Sequence, residues 1–594
     1  MLTYSAPLRD MRFVYEELLQ GGDLQSLPGM EDVSPDLLGA VLEEAARFCE
    51  KVLLPLNQSG DQEGCRFENG QVFTPKGYKE AYRQYIEGGW PSLSCDPEFG
   101  GQGLPHMLHC MVGEMICSTN LSFAIYSELT HGVYELLHQY GTDELKSLYL
   151  PPLVEGRWSG TMCLTEPQCG TDLGLIRTRA VPQADGSYQL NGGKIFISAG
   201  EHDLTENIIH MVLARTPDAP PGTKGISLFL VPKFVPQVDG ALGPANGVEC
   251  VSIEHKMGIR ASSTCTLSFN NAKGWLIGKE NQGLRAMFLM MNRARLWVGL
   301  QGLGLAEIGY QNAVHYARER LQGRALKGPV NPDKPADPII VHADVRRMLL
   351  TMRAYNEGMR AMSVWAAARL DHSERQTNEK ARQEAEDFIA LITPVMKAFF
   401  TDLGFEATNL AVQVYGGHGY ITENGVEQLV RDARIGQLYE GTNGIQALDL
   451  IGRKLPAHAG RHLRTFFQPL EAYLSERRNH PHLAPMVGAV AKAFGRLQRA
   501  SVQIALKGMQ DPDEGAAVAY DYLQLFGLVA LGWMWLRMSE TALAKLENDP
   551  QGFYQAKIAT ARFYMEKILP RSGSLFSSIM AGAPAIMEFE TDRF

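Results

Sequence analysis

The chain has 594 residues, of which 45% are apolar and 21% are charged. This composition provides a large buried core and excludes a chain that is disordered along its whole length. Sixty-six acidic against 56 basic residues give a net charge of −10, which argues against non-specific binding to nucleic acid or to an anionic membrane. At roughly 100–200 residues per domain, the length predicts about three to five domains.

The hydrophobic period divides the chain into five segments. After an N-terminal lead (1–39), apolar residues recur every three or four positions over 40–160, which predicts a helical domain. Over 161–275 the period is two, and short strands between turn residues predict a β-barrel or sandwich. Helical periodicity returns over 276–455 as a bundle and, after a break at Leu455-Pro456, continues over an extra C-terminal module (456–594). The predicted fold class is therefore α+β, in the order α, β, α, with an additional α module.

Long helices are predicted over 286–320, 341–370 and 387–415, the last despite Pro394. The proline-rich segment 327–338 is predicted as a loop, and 511–515 as a turn between helices. Gly299, Gly302 and Gly304 resemble part of a dinucleotide-binding motif, but they lie within a helical pattern and follow no strand. We interpret them as sites of close helix packing.

The cysteines and the N-terminal segment favour a cytoplasmic protein. The nine cysteines form no CxxC pair, so we expect buried thiols in a reducing compartment. Residues 1–20 lack the features of a signal peptide. The longest apolar run, 523–536, is too short to span a bilayer. We expect it to be a core or interface helix, with a weak membrane-surface contact as the alternative. Trp533 and Trp535 favour burial, because two positions apart on a helix they point to different faces.

Three stretches carry residues suited to chemistry: 163–172, 194–200 and 413–443. In the first, Thr165, Gly170 and Thr171 offer hydroxyls and open backbone N–H groups, which suit either a phosphate or a capped turn. Glu166 and Asp172 are expected to be turn and cap residues in both cases. In the third, Glu440 lies between an aromatic residue and a glycine. It is either a solvated loop carboxylate or a base whose pKa is raised by an apolar cleft.

Taken together and in this order, these stretches resemble the acyl-CoA dehydrogenase family. The resemblance covers roughly residues 40–455. It rests on TEPQCGTD (165–172), KIFISAG (194–200), HKMGIRASSTCTLSF (255–269), ARERLQG (317–323) and QVYGGHGYITENGVEQLVRDARIGQLYEGTNGIQ (413–446). The family's order of domains is the α, β, α order predicted above.

The resemblance implies an FAD enzyme that desaturates an acyl-CoA thioester between its α and β carbons. Glu440 matches the catalytic base, and Tyr439, Gly441, Arg295 and Asn292 match substrate-binding positions. In some relatives the base instead precedes the arginine that matches Arg295, but here that position is Ala294, which favours Glu440. Asn292 stands where the family often has an aspartate that contacts CoA, so hydrogen bonding is retained and a charge is lost.

The resemblance also implies FAD-binding positions. These are Met162, Leu164, Thr165, Gly170, Thr171, Phe196, Ser198, Arg320, Gln413, Gly416, Gly417 and Thr442. Phe196 and Ser198 replace a tryptophan and a threonine that contact the flavin ring. The segment after Arg320 is one residue shorter than the family pattern and lacks its phenylalanine, which questions the adenine contact. Because relatives share FAD residues between subunits, the resemblance implies a homodimer or larger homo-oligomer.

The predicted activity is the dehydrogenation of saturated fatty acyl-CoA to trans-2-enoyl-CoA in β-oxidation, with electrons passed to an electron-transferring flavoprotein. The alternatives are a 3-methylthiopropanoyl-CoA dehydrogenase of the same subfamily and an acyl-CoA oxidase. A relative that binds DNA is disfavoured, because 456–594 holds 15 basic and 13 acidic residues and no nucleic-acid footprint. No His, Cys, Asp or Glu set has metal-ligand spacing, so no metal is predicted.

Overall fold

The computed structural model describes residues 2–237 and 239–594. Contacts within the chain divide it into two compact units. Unit 1 comprises Met1–Ala46, Pro105–Ser118 and Val298–Phe594, and unit 2 comprises Arg47–Leu104 and Thr119–Trp297. Each unit is described by itself.

Helices precede and follow a central run of strands, as predicted. The α-helices are α1 (Leu8–Arg12), α2 (Pro35–Phe48), α3 (Leu54–Glu63), α4 (Tyr78–Glu87), α5 (His106–Thr119), α6 (Leu121–Tyr140), α7 (Asp143–Val154), α8 (Gly283–Glu319), α9 (Ala343–Arg375), α10 (Glu379–Tyr415), α11 (Val426–Ala433), α12 (Asn443–Asp449), α13 (Arg461–Glu476), α14 (Ala484–Gly508), α15 (Pro512–Ala516), α16 (Ala519–Ala544), α17 (Phe553–Phe563), α18 (Ser572–Ala581) and α19 (Pro584–Met587). The long helices α8, α9 and α10 occupy the three regions in which the sequence predicts them. The predicted turn at 511–515 is instead the short helix α15, because the side chain of Asp511 caps its first turn.

The strands belong to unit 2. They are β1 (Arg66–Glu68), β2 (Gln71–Phe73), β3 (Trp158–Cys163), β4 (Arg179–Pro182), β5 (Tyr188–Ser198), β6 (Asn207–Ala214), β7 (Ser227–Pro232), β8 (Phe234–Pro236), β9 (Leu242–Ala245), β10 (Val248–Ile253) and β11 (Thr264–Ile277). The main sheet has the order β3-β6-β7-β11-β5-β4, and β10 also pairs with β11. Only the β3–β6 pairing within this sheet is parallel.

The main sheet curls back on itself. The N-terminal part of β11 pairs with β5 and its last three residues pair with β7. Beyond β4, the backbone N–H of Ala180 donates to the carbonyl of Arg215 (2.9 Å), just after β6. This contact joins the far edge of the sheet to the end of β6, which produces the barrel-like shape predicted for the middle segment.

Both faces of the sheet are covered, since every residue of β6 and β7 is buried. Ile209, Met211 and Leu213 pack with Trp158 in one apolar cluster. Val212 and Ala214, which alternate with them along β6, pack in a second cluster. The two-residue period thus supplies two cores, one on each face of the sheet.

Glycines let the helices of unit 1 approach closely. A Cβ added to Gly302 of α8 would lie 2.5 Å from the carbonyl oxygen of Phe400 in α10. A Cβ added to Gly304 would lie 2.7 Å from that of Cys117 in α5. The interpretation of these glycines as close packing sites is confirmed.

Helix α16 lies in the core of unit 1. All residues of the run 523–536 are buried except Gln524, which is half-buried. Trp533 meets the ring of Phe466 of α13 edge-on, whereas the indole N–H of Trp535 donates to the carbonyl of Ala354 of α9 (3.1 Å). The two indoles therefore lie on different helix faces, as the spacing predicts.

Helix α10 and its following turn, Glu379–Tyr420, are long and apolar enough to cross a membrane. However, 78% of the most apolar 18-residue stretch of this segment is buried inside the protein. This is the pattern of a core helix.

Unit 1 also contains a buried charge cluster, centred on Arg360 of α9. The Arg360 guanidinium pairs with Asp10 (2.5 Å), Glu114 (2.5 Å) and Glu307 (2.9 Å). Lys557 of α17, whose side chain is fully buried, also pairs with Asp10. Because buried charges are tolerated only when paired, this cluster ties the N-terminal lead, α5, α8, α9 and the C-terminal module together.

Candidate functional site

Glu440 lies in a short loop between α11 and α12 of unit 1. The backbone φ is +57° at Glu440 and +85° at Gly441. A left-handed conformation is unusual for a residue with a side chain, and two in succession make a sharp reversal. The chain therefore reverses at Glu440, and the reversal sets the direction in which the carboxylate leaves the backbone.

The Glu440 loop is anchored from beneath by a buried lysine. Lys397 of α10 donates to the carbonyl of Gly441 (2.7 Å) and to Oδ1 of Asn443 (2.9 Å). The side chain of Gln446 donates to the carbonyl of Glu440 itself (2.9 Å). Two carbonyl groups of the reversal are therefore held by side chains from neighbouring helices.

A second anchor is the carboxylate of Asp402, also on α10. Its Oδ1 accepts hydrogen bonds from Gln437 (2.7 Å) and Asn443 (2.8 Å). These donors lie three residues before and three residues after Glu440. A single oxygen thus holds both flanks of the loop.

Two residues next to Glu440 are also fixed in place. The hydroxyl of Tyr439 donates to Oε1 of Gln301 on α8, and burial raises the pKa of Tyr439 so that the phenol stays protonated. The hydroxyl of Thr442 accepts from the N–H of Ile445 (3.3 Å) and caps α12. Tyr439, Glu440, Gly441 and Thr442 therefore form one ordered segment.

Four of the predicted FAD-binding residues lie at the C-terminal ends of α8 and α10: Arg320, Gln413, Gly416 and Gly417. Tyr316, one turn before Arg320, stacks on Tyr415 with ring centroids 4.1 Å apart, which brings these helix ends together. Gln413 lies in the last turn of α10, and Gly416 and Gly417 directly follow that helix. All three are exposed, as is Arg320. A Cβ added to Gly416 or Gly417 would meet nothing within 4 Å, so their backbone is open to a ligand.

The shortened segment after Arg320 folds around a buried carboxylate. Asp337 accepts hydrogen bonds from the backbone N–H groups of Ala325 (3.0 Å) and Asn331 (2.8 Å), which lower its pKa to about 2. The N–H of Ile339 donates to the carbonyl of Arg320 (2.8 Å). The proline-rich loop is therefore ordered, and it holds the backbone of Arg320.

In unit 2 a buried ion pair organises the stretch after β3. The ammonium of Lys194 contacts Oε1 of Glu166 at 2.8 Å and donates to the carbonyl of Leu164 at 3.0 Å. The Glu166 side chain also accepts from the backbone N–H and hydroxyl of Thr178. Burial alone would raise the pKa of Glu166, but Lys194 and these hydrogen bonds lower it to about 2.

Glu166 is thus more than the turn residue expected from sequence. It forms a tight turn with Cys169 through two backbone hydrogen bonds, and it is the hub of the loop. Asp172 is a cap residue, as expected, because its side chain accepts from the N–H of Gly174 (3.0 Å).

The strand β5 carries a bulge at the predicted flavin residues. Lys194 pairs with Leu267 and Ile197 with Cys265, so two residues of β5 face one of β11. Phe196 takes φ +58° in this bulge and the residue is 58% exposed. The bulge interrupts the two-residue period of the strand, so that Lys194 and Ile197, three positions apart, are both buried while Phe196 between them is exposed.

The bulge brings several predicted cofactor residues together. The N–H of Ile195 donates to the carbonyl of Thr165 (3.0 Å), and Lys194 holds the carbonyl of Leu164. The ends of β3 and β5, with Met162, Thr165, Phe196 and Ser198, are consequently neighbours. Gly170 and Thr171 follow the tight turn and are exposed.

Asn292 and Arg295 lie one turn apart on α8, within unit 2. Nη1 of Arg295 donates to Oδ1 of Asn292 (3.3 Å), and the guanidinium lies 5.9 Å from the ring centre of Phe288. Arg295 is buried and Asn292 half-buried. The structure thus couples the two predicted substrate residues of this helix.

These features fit FAD. An outward-facing phenyl ring offers a face for the flat isoalloxazine, and hydroxyls of Thr165 and Ser198 lie on the same strand ends. The open glycine backbone at 416–417 and the exposed guanidinium of Arg320 suit a pyrophosphate.

Comparison with known proteins gives consecutive matches to four domain families. These are "Acyl-CoA dehydrogenase, N-terminal domain" over 38–157, "Acyl-CoA dehydrogenase, middle domain" over 161–272, "Acyl-CoA dehydrogenase, C-terminal domain" over 281–455 and "Acetyl-CoA dehydrogenase C-terminal like" over 463–590.

Full-length relatives are found as well. The chain is 44% identical to 3-methylmercaptopropionyl-CoA dehydrogenase of Ruegeria pomeroyi over 97% of this chain and 98% of the relative. It is 32% identical to the broad-specificity linear acyl-CoA dehydrogenase FadE5 of Mycobacterium tuberculosis over 100% of both chains. Its fold is similar to that of an acyl-CoA dehydrogenase from Bacillus anthracis solved with FAD (TM-score 0.75, 21% identity, covering 93% of this chain and 89% of that one).

Proposed function

Because the chain belongs to the acyl-CoA dehydrogenase family of FAD-dependent oxidoreductases, which act on CH–CH bonds, we propose that its substrate is 3-methylmercaptopropionyl-CoA and that Glu440 is the base. The observation that carries the substrate is the 44% identity to a dehydrogenase of that name, sustained over 97% of this chain. Since 3-methylmercaptopropionyl-CoA and 3-methylthiopropanoyl-CoA are two names for one compound, this identity supports the 3-methylthiopropanoyl-CoA alternative over the fatty acyl-CoA interpretation. Linear fatty acyl-CoAs are the second candidate, favoured by the 32% identity to the mycobacterial relative.

In the proposed mechanism the Glu440 carboxylate removes the proton from the α carbon of the thioester. The reversal at Glu440 and Gly441 fixes the direction of approach, while Lys397, Asp402 and Gln446 hold the loop so that little reorganisation is needed. The backbone N–H of Glu440 is assigned to the thioester oxygen, where negative charge develops as the α proton leaves. Bound FAD supplies the acceptor for the β hydrogen and its two electrons.

The other predicted residues divide the work of binding. We assign Met162, Leu164, Thr165, Gly170, Thr171, Phe196 and Ser198 to the flavin end of FAD, and Arg320, Gln413, Gly416, Gly417 and Thr442 to the remainder. Asn292 and Arg295 are assigned to acyl-CoA, for which their amide and guanidinium supply hydrogen-bond donors. An electron-transferring flavoprotein as acceptor, a homodimeric assembly and a cytoplasmic location complete the proposal.

The substrate is tested by initial rates with an artificial electron acceptor. The series comprises 3-methylmercaptopropionyl-CoA and straight-chain acyl-CoAs from C4 to C18. The proposal expects the highest kcat/KM for the thioether substrate. A maximum at any straight-chain acyl-CoA would overturn it in favour of the second candidate. Peroxide formed at the turnover rate in air would identify an oxidase instead.

The base is tested by Glu440→Gln, which keeps the size of the side chain and removes its basicity. General-base catalysis contributes roughly 10²–10⁴-fold, so turnover should fall by at least two orders of magnitude while flavin absorbance is retained. Glu547→Gln, at an exposed position, is the matched control and should behave as wild type. Near-normal turnover of Glu440→Gln would disprove the assignment.

A further inference from the structure

The carboxylate of Asp402 has a second set of partners, in the C-terminal module. Its Oδ2 accepts hydrogen bonds from the hydroxyl of Tyr520 (2.7 Å) and from the side-chain amide of Gln524 (2.6 Å), both on α16. Its Oδ1 holds Gln437 and Asn443, on the two flanks of Glu440. One carboxylate therefore joins α16 to the loop of the proposed base.

The chemistry of these contacts requires a carboxylate. Four donors, two on each oxygen, converge on Asp402, and an ionised carboxylate is the side chain that accepts at both oxygens without offering a proton. Each such bond to a charged acceptor is stronger than a neutral one. Because the carboxylate is rigid and planar, displacement of Tyr520 and Gln524 on one oxygen also shifts the oxygen that Gln437 and Asn443 contact.

Packing brings α16 against the same elements. A Cβ added to Gly527 of α16 would lie 2.3 Å from the ring of Phe399, so the glycine admits a side chain of α10 three residues before Asp402. Helix α12, which begins at Asn443 directly after the loop, packs on α16 as well. The C-terminal module therefore packs against both α10, which anchors the Glu440 loop, and α12, which follows it.

We propose that the C-terminal module braces the Glu440 loop through Asp402, which makes Tyr520 and Gln524 positioning residues for removal of the α proton. The inference rests on Glu440 being the base. It gives the module a part in the chemistry, although neither Tyr520 nor Gln524 belongs to the residues assigned to substrate or FAD.

The variants Tyr520→Phe and Gln524→Met, alone and combined, remove the donors of α16 and keep the side-chain shapes. Tyr520 is 44% exposed, so loss of its hydroxyl leaves the core intact. The matched control is Tyr473→Phe, which removes a hydroxyl bonded to Glu540 (2.8 Å) elsewhere in the same module. All are compared as FAD-loaded full-length enzyme, with flavin content and melting temperature recorded.

A misplacement of about 1 Å can cost roughly 10²-fold in rate. The double variant leaves two of the four donors on Asp402 in place, so kcat should fall less than this, on the order of tenfold. KM should change by less than about twofold, since neither residue is assigned to acyl-CoA binding. The kinetic isotope effect with substrate deuterated at the α carbon should increase, because proton removal becomes more rate-limiting. A purely structural role would lower melting temperature and leave the isotope effect unchanged.

The inference is overturned if the double variant matches Tyr473→Phe in kcat and isotope effect. Glu440→Gln, measured in parallel, separates this result from failure of the proposed function. If Glu440→Gln is inactive and the double variant is fully active, Glu440 remains the base and only the bracing role of the C-terminal module is disproved. If Glu440→Gln is active, both the assignment of Glu440 as the base and the bracing role that depends on it are disproved.

Discussion

The pair formed by Lys194 and Glu166 offers a sharp test of how the predicted flavin region is held. Replacement Lys194→Met keeps the length of the side chain and removes the ammonium. The Lys194 side chain is 0% exposed and that of Glu166 is 4% exposed. Methionine would leave the carboxylate buried without its counter-charge and would leave the carbonyl of Leu164 without this donor.

The expected cost follows from the partners that remain. Breaking a buried ion pair by removing one member costs about 3–5 kcal/mol. After Lys194→Met, Glu166 still accepts from Gln168, Arg177 and Thr178, so the loss should lie near the lower end, about 3 kcal/mol. After Glu166→Gln the ammonium of Lys194 is the charge left unpaired, so this variant should be the less stable of the two.

The assay is urea unfolding of the full-length protein, followed by tryptophan fluorescence and flavin release. Lys273→Met is the matched control: Lys273 pairs with Asp185 at the same 2.8 Å, but the two side chains are 40% and 56% exposed. The control should lose less than about 1 kcal/mol. Lys194→Met should also release FAD at lower urea, because Leu164 and Thr165 lose their anchor. Equal free energies of unfolding for Lys194→Met and Lys273→Met would refute the reasoning.

The same pair predicts a pH dependence. The folded protein lowers the pKa of Glu166 from 4.5 to about 2. The unfolded state therefore binds a proton first, and the stabilisation, fully present above about pH 4.5, is lost as the pH falls towards about 2. Stability of the wild type should fall more steeply across this window than stability of Glu166→Gln, which has no carboxyl group to titrate.

Two further stability predictions concern unit 1, both measured by thermal melting and urea unfolding. Gly302→Ala should cost about 1–3 kcal/mol because its Cβ would meet the carbonyl of Phe400 at 2.5 Å; Gly488→Ala, whose Cβ meets nothing within 4 Å, is the control, and an equal effect of both would contradict the packing argument. Arg360→Met should cost at least about 3 kcal/mol, because it removes the counter-charge that Glu114 and Glu307 share and one of the two cations paired with Asp10. Arg562→Met, at a side chain 72% exposed, should be about as stable as wild type, and a similar loss in both would count against the cluster.

Much of the fold follows from periodicity and turn residues. The long helices α8, α9 and α10, the strand region and the buried run 523–536 all have patterns that local sequence determines. Gly302 and Gly304 were interpretable because glycine within a helical pattern has few uses other than close approach. What the pattern does not reveal is the bulge in β5, which buries Lys194 together with Ile197 although the two residues are three positions apart. No local residue type marks this bulge.

The site was predictable where its residues lie in a continuous motif. Glu440 and its neighbours are of this kind. The residues that hold the loop were not predicted, because Lys397 and Asp402 lie about forty positions earlier and read as ordinary helix residues. The same is true of Lys194, because the motif KIFISAG in which it lies does not indicate that its ammonium pairs with Glu166. A buried lysine or aspartate is identified by what surrounds it in three dimensions, and that information is spread along the chain.

The charge cluster around Arg360 has a consequence for the order in which the protein is made. Asp10 leaves the ribosome more than 500 residues before Lys557, one of its two buried cations. Until Lys557 follows, the counter-charge of Asp10 is Arg360 alone, which Asp10 shares with Glu114 and Glu307. Unit 1 therefore completes its folding only after α17 has emerged, and a nascent chain paused before that point remains an open, chaperone-accessible intermediate.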